Sequence, residues 1–276
     1  MNWIAASVAA SLVAALALSG GEASAQARVS TGGSFVKASL LVGEAHADGT
    51  RDAGLMLEVK PGWKTYWRNP GEAGVPPRLD WSASRNLADL RIEWPQPTLF
   101  ESFGYLTLGY GGRVILPITL TAQDPGAPID LALNGMLGVC KDICVFEEID
   151  LETQIVPGAD GPDAPRIGIA RLSVPMSGEE AGISLGGCRI AGAGYDRSFS
   201  ATLTLPDGAA APFVVLEGPE GAWFRHTAVA SGPDGTTVTS KLKLEEAGAW
   251  IDRAGISATV LYGGMAAEVH GCTPTG

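Results

Sequence analysis

Positive charge, histidine and helical periodicity are all scarce in this 276-residue chain, and each shortage removes a class of function. Nineteen Lys and Arg stand against thirty Asp and Glu, a formal net charge of −11. A surface of that sign repels phosphate backbones and anionic lipid, so no nucleic-acid partner is expected. The three histidines (His46, His226 and His270) show no ligand spacing with the cysteines. A structural zinc needs four ligands, so a zinc site is not expected. The sequence has no Gly-x-Ser-x-Gly elbow, no phosphate-binding glycine loop and no His-Glu-x-x-His motif, which argues against hydrolase chemistry. The acidic pairs Glu147-Glu148 and Glu245-Glu246 read as solvated faces rather than as an acid/base couple.

Long hydrophobic runs are missing as well, with one exception. Trp3 to Leu18 is apolar or small throughout, and Ala23-Ser24-Ala25 supplies a small-x-small cleavage site. Residues 1–25 therefore read as a signal peptide cleaved near Ala25, which places the mature chain in an extracytoplasmic, periplasmic compartment. A retained anchor is the alternative reading, since about 16 apolar residues are marginal for a bilayer. Glu22 is the only charged residue in this segment, so the mature chain keeps a net charge of −10.

What remains is dominated by a period of two. Runs such as Gly54-Leu-Met-Leu-Glu-Val59, Val114-Ile-Leu-Pro-Ile-Thr-Leu120, Ser200-Ala-Thr-Leu-Thr-Leu205 and Ile256-Ser-Ala-Thr-Val-Leu261 alternate as half-buried strands do. Gly, Pro, Asp and Asn clusters separate them at the spacing of all-β sandwiches. Pro117 predicts an edge or bulged strand at 114–120. Short helices are expected only at Ser82–Leu90 and Pro165–Leu172. Val156 to Pro165 holds five Pro and Gly residues in ten, which reads as a linker. The expected organisation is all-β: one β-domain at 28–155, a linker at 156–179, and a second β-sandwich domain at 180–274.

Four cysteines lie in the mature part: Cys140, Cys144, Cys188 and Cys272. An oxidising compartment lets disulfides persist, and four cysteines allow three pairings. The clean partition joins Cys188 to Cys272 as a structural clasp and Cys140 to Cys144 across a three-residue hairpin loop, Lys141-Asp142-Ile143. Facing Cα atoms in such a ladder lie about 4.5–5.5 Å apart, within disulfide reach. A bridge closing so short a loop stabilises by only about 2 kcal/mol, which favours a redox role for Cys140 and Cys144 over an inert staple. Lys141 favours a thiolate at Cys140 and Asp142 opposes it, so the attacking sulfur is not fixed. Two alternatives stay open. One is a Cu(I) site of Cys140, Cys144 and the Met136 thioether, since soft ligands select soft ions. The other is an interaction module with both disulfides structural. The aromatic segment Pro61-Gly-Trp-Lys-Thr-Tyr-Trp-Arg-Asn-Pro-Gly71 reads as sandwich core rather than recognition surface.

Gly62-Trp-Lys-Thr-Tyr-Trp-Arg-Asn-Pro-Gly-Glu-Ala-Gly-Val-Pro-Pro77 resembles the N-terminal periplasmic domain of DsbD-type thiol:disulfide interchange proteins, closest to the ScsB (suppressor of copper sensitivity) branch. Trp94-Pro-Gln-Pro97, the loop Glu101-Ser-Phe-Gly-Tyr105, Leu116-Pro-Ile118 and Val139-Cys-Lys-Asp-Ile-Cys144 follow in the family's order. The resemblance covers most of 35–155; the second half is similar to the extra β-domain of the ScsB branch. It implies two immunoglobulin-like sandwiches in tandem, the first carrying a redox-active pair at Cys140 and Cys144. It implies also a cap loop at Phe103 and Tyr105 that covers the disulfide until a partner arrives. The implied partners are a membrane-embedded thiol reductase as electron donor and oxidised periplasmic thioredoxin-like proteins as clients. No organic cofactor is expected, because sulfur carries the electrons. The sequence departs from the DsbD form, which separates its cysteines by five residues rather than three. It also shows no multi-helix membrane segment and no thioredoxin-like Cys-x-x-Cys domain, so either a separate membrane protein reduces it or the module is detached for another use.

Overall fold

Alternation becomes architecture in strand after strand. From Glu148 to Ile155 every second side chain (Ile149, Leu151, Thr153, Ile155) is buried and its neighbours are exposed, the pattern of a strand with one face on a core. A computed structural model describes residues 33–102, 104–206, 209, 212–233 and 235–273. The predicted signal peptide, residues 1–25, and the cap residue Phe103 lie outside the described residues.

The first sandwich contains β1 (Val36–Ala45), β2 (Thr50–Val59), β3 (Lys64–Gly71), β4 (Arg78–Asp80), β5 (Leu87–Ile92), β6 (Thr98–Ser102), β7 (Tyr105–Gly111), β8 (Arg113–Ala122), β9 (Ile129–Cys140) and β10 (Cys144–Ile155). One sheet runs β1-β2-β8-β5 and the other β10-β9-β3-β7-β6, with β4 paired to β9. Between them lies a core of Leu40, Leu55, Trp67, Leu116, Ile118, Leu133 and Val139, all almost fully buried. Each such aliphatic side chain contributes roughly 1.5–3 kcal/mol by leaving water.

After α1 (Ala164–Arg171), β11 (Met176–Ser177) and α2 (Gly178–Ala181) comes the second sandwich. It comprises β12 (Ser184–Ala191), β13 (Asp196–Thr204), β14 (Phe213–Glu217), β15 (Ala222–Gly232), β16 (Gly235–Leu244), β17 (Ser257–Tyr262) and β18 (Met265–His270). Its sheets run β11-β18-β17-β14 and β12-β13-β16-β15. The fold is all-β, two immunoglobulin-like sandwiches in tandem. The two cores touch: Val215, Leu261 and Ala266 of the second half belong to the apolar cluster of the first, and Phe213 packs against it.

Three local expectations are corrected. Ser82–Leu90 is not helical. Asp80 turns the chain by accepting from Ser82 N at 2.9 Å, and β5 then starts at Leu87. Pro117 does not demote its strand, because β8 lies between β2 and β5. Its carbonyl accepts from Glu93 N at 2.8 Å, just past the last β5 pair at Ile92 and Ile118, so its missing N–H falls where the ladder ends. Glu147 is buried rather than solvated, and its carboxylate accepts from Phe35 N and Val36 N at the start of β1.

The Pro/Gly-rich segment after β10 is a strap on the first sandwich. Gly161 N donates to Gly43 O at 2.6 Å and Asp163 N to Val42 O at 3.0 Å. Asp160 accepts from Ala45 N at 3.0 Å. The predicted helix follows as α1, with proline in its first turn and Ile167 completely buried. Ile167 sits over Gly43 and Gly54, where an added Cβ would come within 2.9 and 3.2 Å of it. Arg171 then pairs with buried Asp52 and, at 3.0 Å, with Glu93.

Candidate redox site at the β9–β10 hairpin

The site is built by register. β10 pairs antiparallel with β9, Cys144 opposite Cys140 and Phe146 opposite Gly138. Lys141 N donates to Ile143 O at 3.0 Å and closes the three-residue loop. The Cα atoms of Cys140 and Cys144 stand 4.2 Å apart, slightly closer than facing ladder positions usually lie, and their sulfurs are bonded. Cys188 and Cys272 form the second disulfide, with Cα atoms 5.9 Å apart. It ties the start of the second sandwich to its last described residues and sits inside that core.

The two sulfurs of the hairpin pair are not equivalent. Cys140 is fully buried, whereas Cys144 is exposed at the loop end. An incoming thiolate therefore has access to the Cys144 sulfur, an asymmetry that Lys141 and Asp142 could not decide. Those two side chains are exposed and pair loosely with each other at 3.9 Å, so they exert little net field on the sulfurs.

A third residue completes the site, and it comes from the aromatic segment. On β3, Trp67 points into the core and is completely buried, so Tyr66 points to the outer face. Its hydroxyl donates to Cys140 Sγ at 2.9 Å and lies 3.7 Å from Cys144 Sγ. Burial pushes the Tyr66 phenol above its ordinary value, which keeps it a protonated donor at neutral pH. Two glycines hold the ring. A Cβ at Gly138 would meet one edge of it at 3.1 Å and one at Gly74 the other edge at 2.7 Å, so the ring is accommodated between two backbones that lack side chains. Lys64, opposite Cys140 in the ladder, shares this face and sets its ammonium over the Phe100 ring at 4.9 Å. Burial lowers the Lys64 pKa. The aromatic segment thus divides between core and site. Tyr66 carried no cysteine-like signature in the sequence; only its alternation with Trp67 placed it on the outer face.

The remaining site expectations divide as follows. The loop at 101–105 is the tip of a hairpin: β6 and β7 pair from Thr98–Gly109 to Ser102–Tyr105, and Gly104 takes a positive φ of 81° in the turn. Tyr105 is 52% exposed there, on the face shared by Phe100 and Lys64. Met136 is not brought to the sulfurs. It lies four residues up β9 from Cys140, roughly 13 Å at strand rise, with the Tyr66 ring over the intervening Gly138. Two exposed apolar side chains flank Cys144, Ile143 at 62% and Phe146 at 61%.

Residues 37–155 match the family model described as "Thiol:disulfide interchange protein DsbD, N-terminal". Across most of its length the chain superimposes on a solved structure, the N-terminal periplasmic domain of ScsB from Proteus mirabilis, with a TM-score of 0.62 and 23% identity. That alignment covers 88% of this chain and 95% of the other. No curated protein sequence matches. The first sandwich is thus similar to the DsbD N-terminal domain, and the chain shares the fold of the ScsB domain.

Proposed function

We propose that this chain is a periplasmic thiol–disulfide exchange protein that passes electron pairs through Cys140 and Cys144. The family match supports a role in thiol–disulfide interchange with redox partners. The observation that carries the finer reading is the asymmetric pair: one exposed sulfur, one buried sulfur, and a tyrosine hydroxyl 2.9 Å from the buried one.

The cycle follows from that asymmetry. A thiolate of a membrane-embedded reductase attacks Cys144 Sγ. The Cys140–Cys144 bond breaks, and Cys140 leaves as a thiolate that accepts a charge-assisted hydrogen bond from Tyr66. The donor's second thiolate then attacks the mixed disulfide, so the donor is oxidised by two electrons and the pair is reduced. In the forward step the Cys144 thiolate attacks the disulfide of an oxidised thioredoxin-like client. Cys140 resolves that mixed disulfide, releasing the client as a dithiol and restoring the starting bond. The β6–β7 hairpin, with Tyr105 at its tip, serves as the cap that a docking partner moves aside. Cys188–Cys272 stays bonded throughout as a structural clasp.

The copper reading is weaker on geometry, because Met136 stands apart from the sulfurs with Tyr66 between. The test is the redox potential of the Cys140–Cys144 pair in glutathione buffers, read by thiol alkylation and mass. A value between about −280 and −120 mV, the span of exchange proteins, supports electron transfer. A value below roughly −300 mV marks a locked structural bridge and refutes it.

A further inference from the structure

We infer that the second sandwich is a positioning unit for the redox pair, acting through Arg68; the inference rests on the exchange function proposed above. Arg68 follows Tyr66 by two residues on β3. Its guanidinium leaves the first sandwich and is clamped by the second. Nε and Nη2 donate to Glu217 of β14 at 3.1 and 2.8 Å, and Nη2 donates also to Glu268 of β18 at 2.8 Å. The same guanidinium stacks over Trp67, 4.6 Å from the ring centroid. Burial of Arg68 works against its charge, yet the hydrogen bonds and charges of the two glutamates outweigh it and raise its pKa. The Arg68 guanidinium therefore stays charged at every accessible pH.

A partly buried ion cluster is weak evidence for stability, because desolvation cancels much of the attraction. A planar fork held by two carboxylates is strong evidence for fixed geometry. What it fixes lies immediately downstream. Asn69 Oδ1 accepts from Gly71 N at 3.2 Å. Glu72 N donates to Leu106 O, and the Glu72 carboxylate accepts from Leu106 N, both at 3.2 Å. This pair of hydrogen bonds latches the segment to the β6–β7 hairpin, beside Tyr105. Two residues later Gly74 lies against the Tyr66 ring. The chain from Arg68 to Gly74 thus covers the tyrosine that touches Cys140 and holds the hairpin beside it. The second sandwich grips that chain at its root. The contact is more than a tether, since the apolar clusters of the two sandwiches are continuous at Val215, Leu261 and Ala266.

The experiment uses the mature two-domain chain and changes only the second sandwich, with the double variant Glu217→Gln/Glu268→Gln. Arg68→Lys, which keeps the charge but loses the fork, is the second variant should the first fail to fold. The readouts are the equilibrium constant of the Cys140–Cys144 pair with glutathione and the pH midpoint of thiol alkylation in the reduced protein. Loosening the clamp lets Tyr66 leave Cys140, so the reduced form loses its hydrogen bond. The expected result is a shift of threefold or more toward the disulfide, about 14 mV at 29.6 mV per tenfold, with a higher alkylation midpoint. Arg68→Lys should fall between this variant and wild type. In a Tyr66→Phe background the glutamate changes should add nothing, the signature of a shared path. A clamp that only stabilises would lower the melting temperature and leave the equilibrium constant at the wild-type value, and that result overturns the inference alone. A wild-type pair that does not exchange with glutathione overturns both the function and the inference.

Discussion

Replacing Tyr66 with Phe removes one oxygen from the site and should make the Cys140–Cys144 pair more reducing. The hydroxyl lies 2.9 Å from Cys140 Sγ in the disulfide form, where the sulfur is a weak acceptor. On reduction the same sulfur becomes a thiolate, and a hydrogen bond to a charged group contributes about 1.5–3 kcal/mol. Part of that is already present in the disulfide, so the difference between the two states is about 1.5 kcal/mol. For a two-electron couple this converts to about 30 mV, or tenfold in the equilibrium with glutathione. The sign is fixed by which state gains. The reduced state loses the donor, so the variant holds its disulfide more tightly and its potential falls. Phe keeps the ring between Gly138 and Gly74, so packing and melting temperature should change little. The assay is equilibration in glutathione buffers followed by alkylation and mass detection, with variant and wild type side by side. A shift under about 10 mV, or one toward a higher potential, would mean that the hydroxyl does not stabilise the Cys140 thiolate, and the assignment of Cys140 as the leaving sulfur would fall with it.

Three further outcomes are expected. Breaking Cys188–Cys272, whose partners are 84 residues apart in sequence, should cost about 4.6 kcal/mol on the chain-entropy relation, against about 2 for Cys140–Cys144; urea unfolding of the two double-serine variants checks the order. Gly138→Ala sets a methyl 3.1 Å from the Tyr66 ring, and should cost about 1–3 kcal/mol of stability while shifting the potential in the same direction as Tyr66→Phe. The hydrogen bond to Asp52, 3.0 Å away, raises the His46 pKa above its ordinary 6.5. Its stabilisation is thus fully present below pH 6.5 and is lost as pH rises through the folded value, so melting curves from pH 5 to 9 should show a high-pH decline that His46→Gln abolishes.

Much of the fold was legible because strands announce themselves by alternation, and β10 and β16 bury every second residue along most of their length. The hairpin pair was legible for the same reason, since a three-residue loop between alternating runs makes the flanking cysteines face each other. Tyr66 was not, because alternation gives a residue's face but not its neighbour across the sheet. The contact with Cys140 depends on β3 pairing with β9, a register between segments more than seventy residues apart. The strap's contacts were not legible for a related reason. Pro and Gly composition shows that a segment builds no core of its own, but says nothing of whether its backbone finds partners elsewhere. Here Gly161 and Asp163 hydrogen-bond to β1, and Ile167 finds two glycines to sit on.

On the exchange function proposed above, the two disulfides divide labour in a way that burial explains better than sequence spacing. Cys188 and Cys272 are both buried in the second core, where neither sulfur meets an approaching thiolate, and thiol–disulfide exchange requires in-line access to a sulfur. Cys140 is as deeply buried as they are, so depth alone does not distinguish a redox cysteine. The distinction lies in its partner: the short loop turns Cys144 outward while leaving Cys140 under Tyr66. The three-residue loop at the sheet end thus leaves one exposed sulfur and one buried one, which on the proposed cycle are the attacked sulfur and the leaving group. Exposing Cys140 without disturbing Cys144, by trimming Tyr66 to Ala, should accordingly let external thiols react at either sulfur. Mass analysis of trapped mixed disulfides would then show adducts at both cysteines. Adducts confined to Cys144 would mean that something other than the Tyr66 ring protects Cys140.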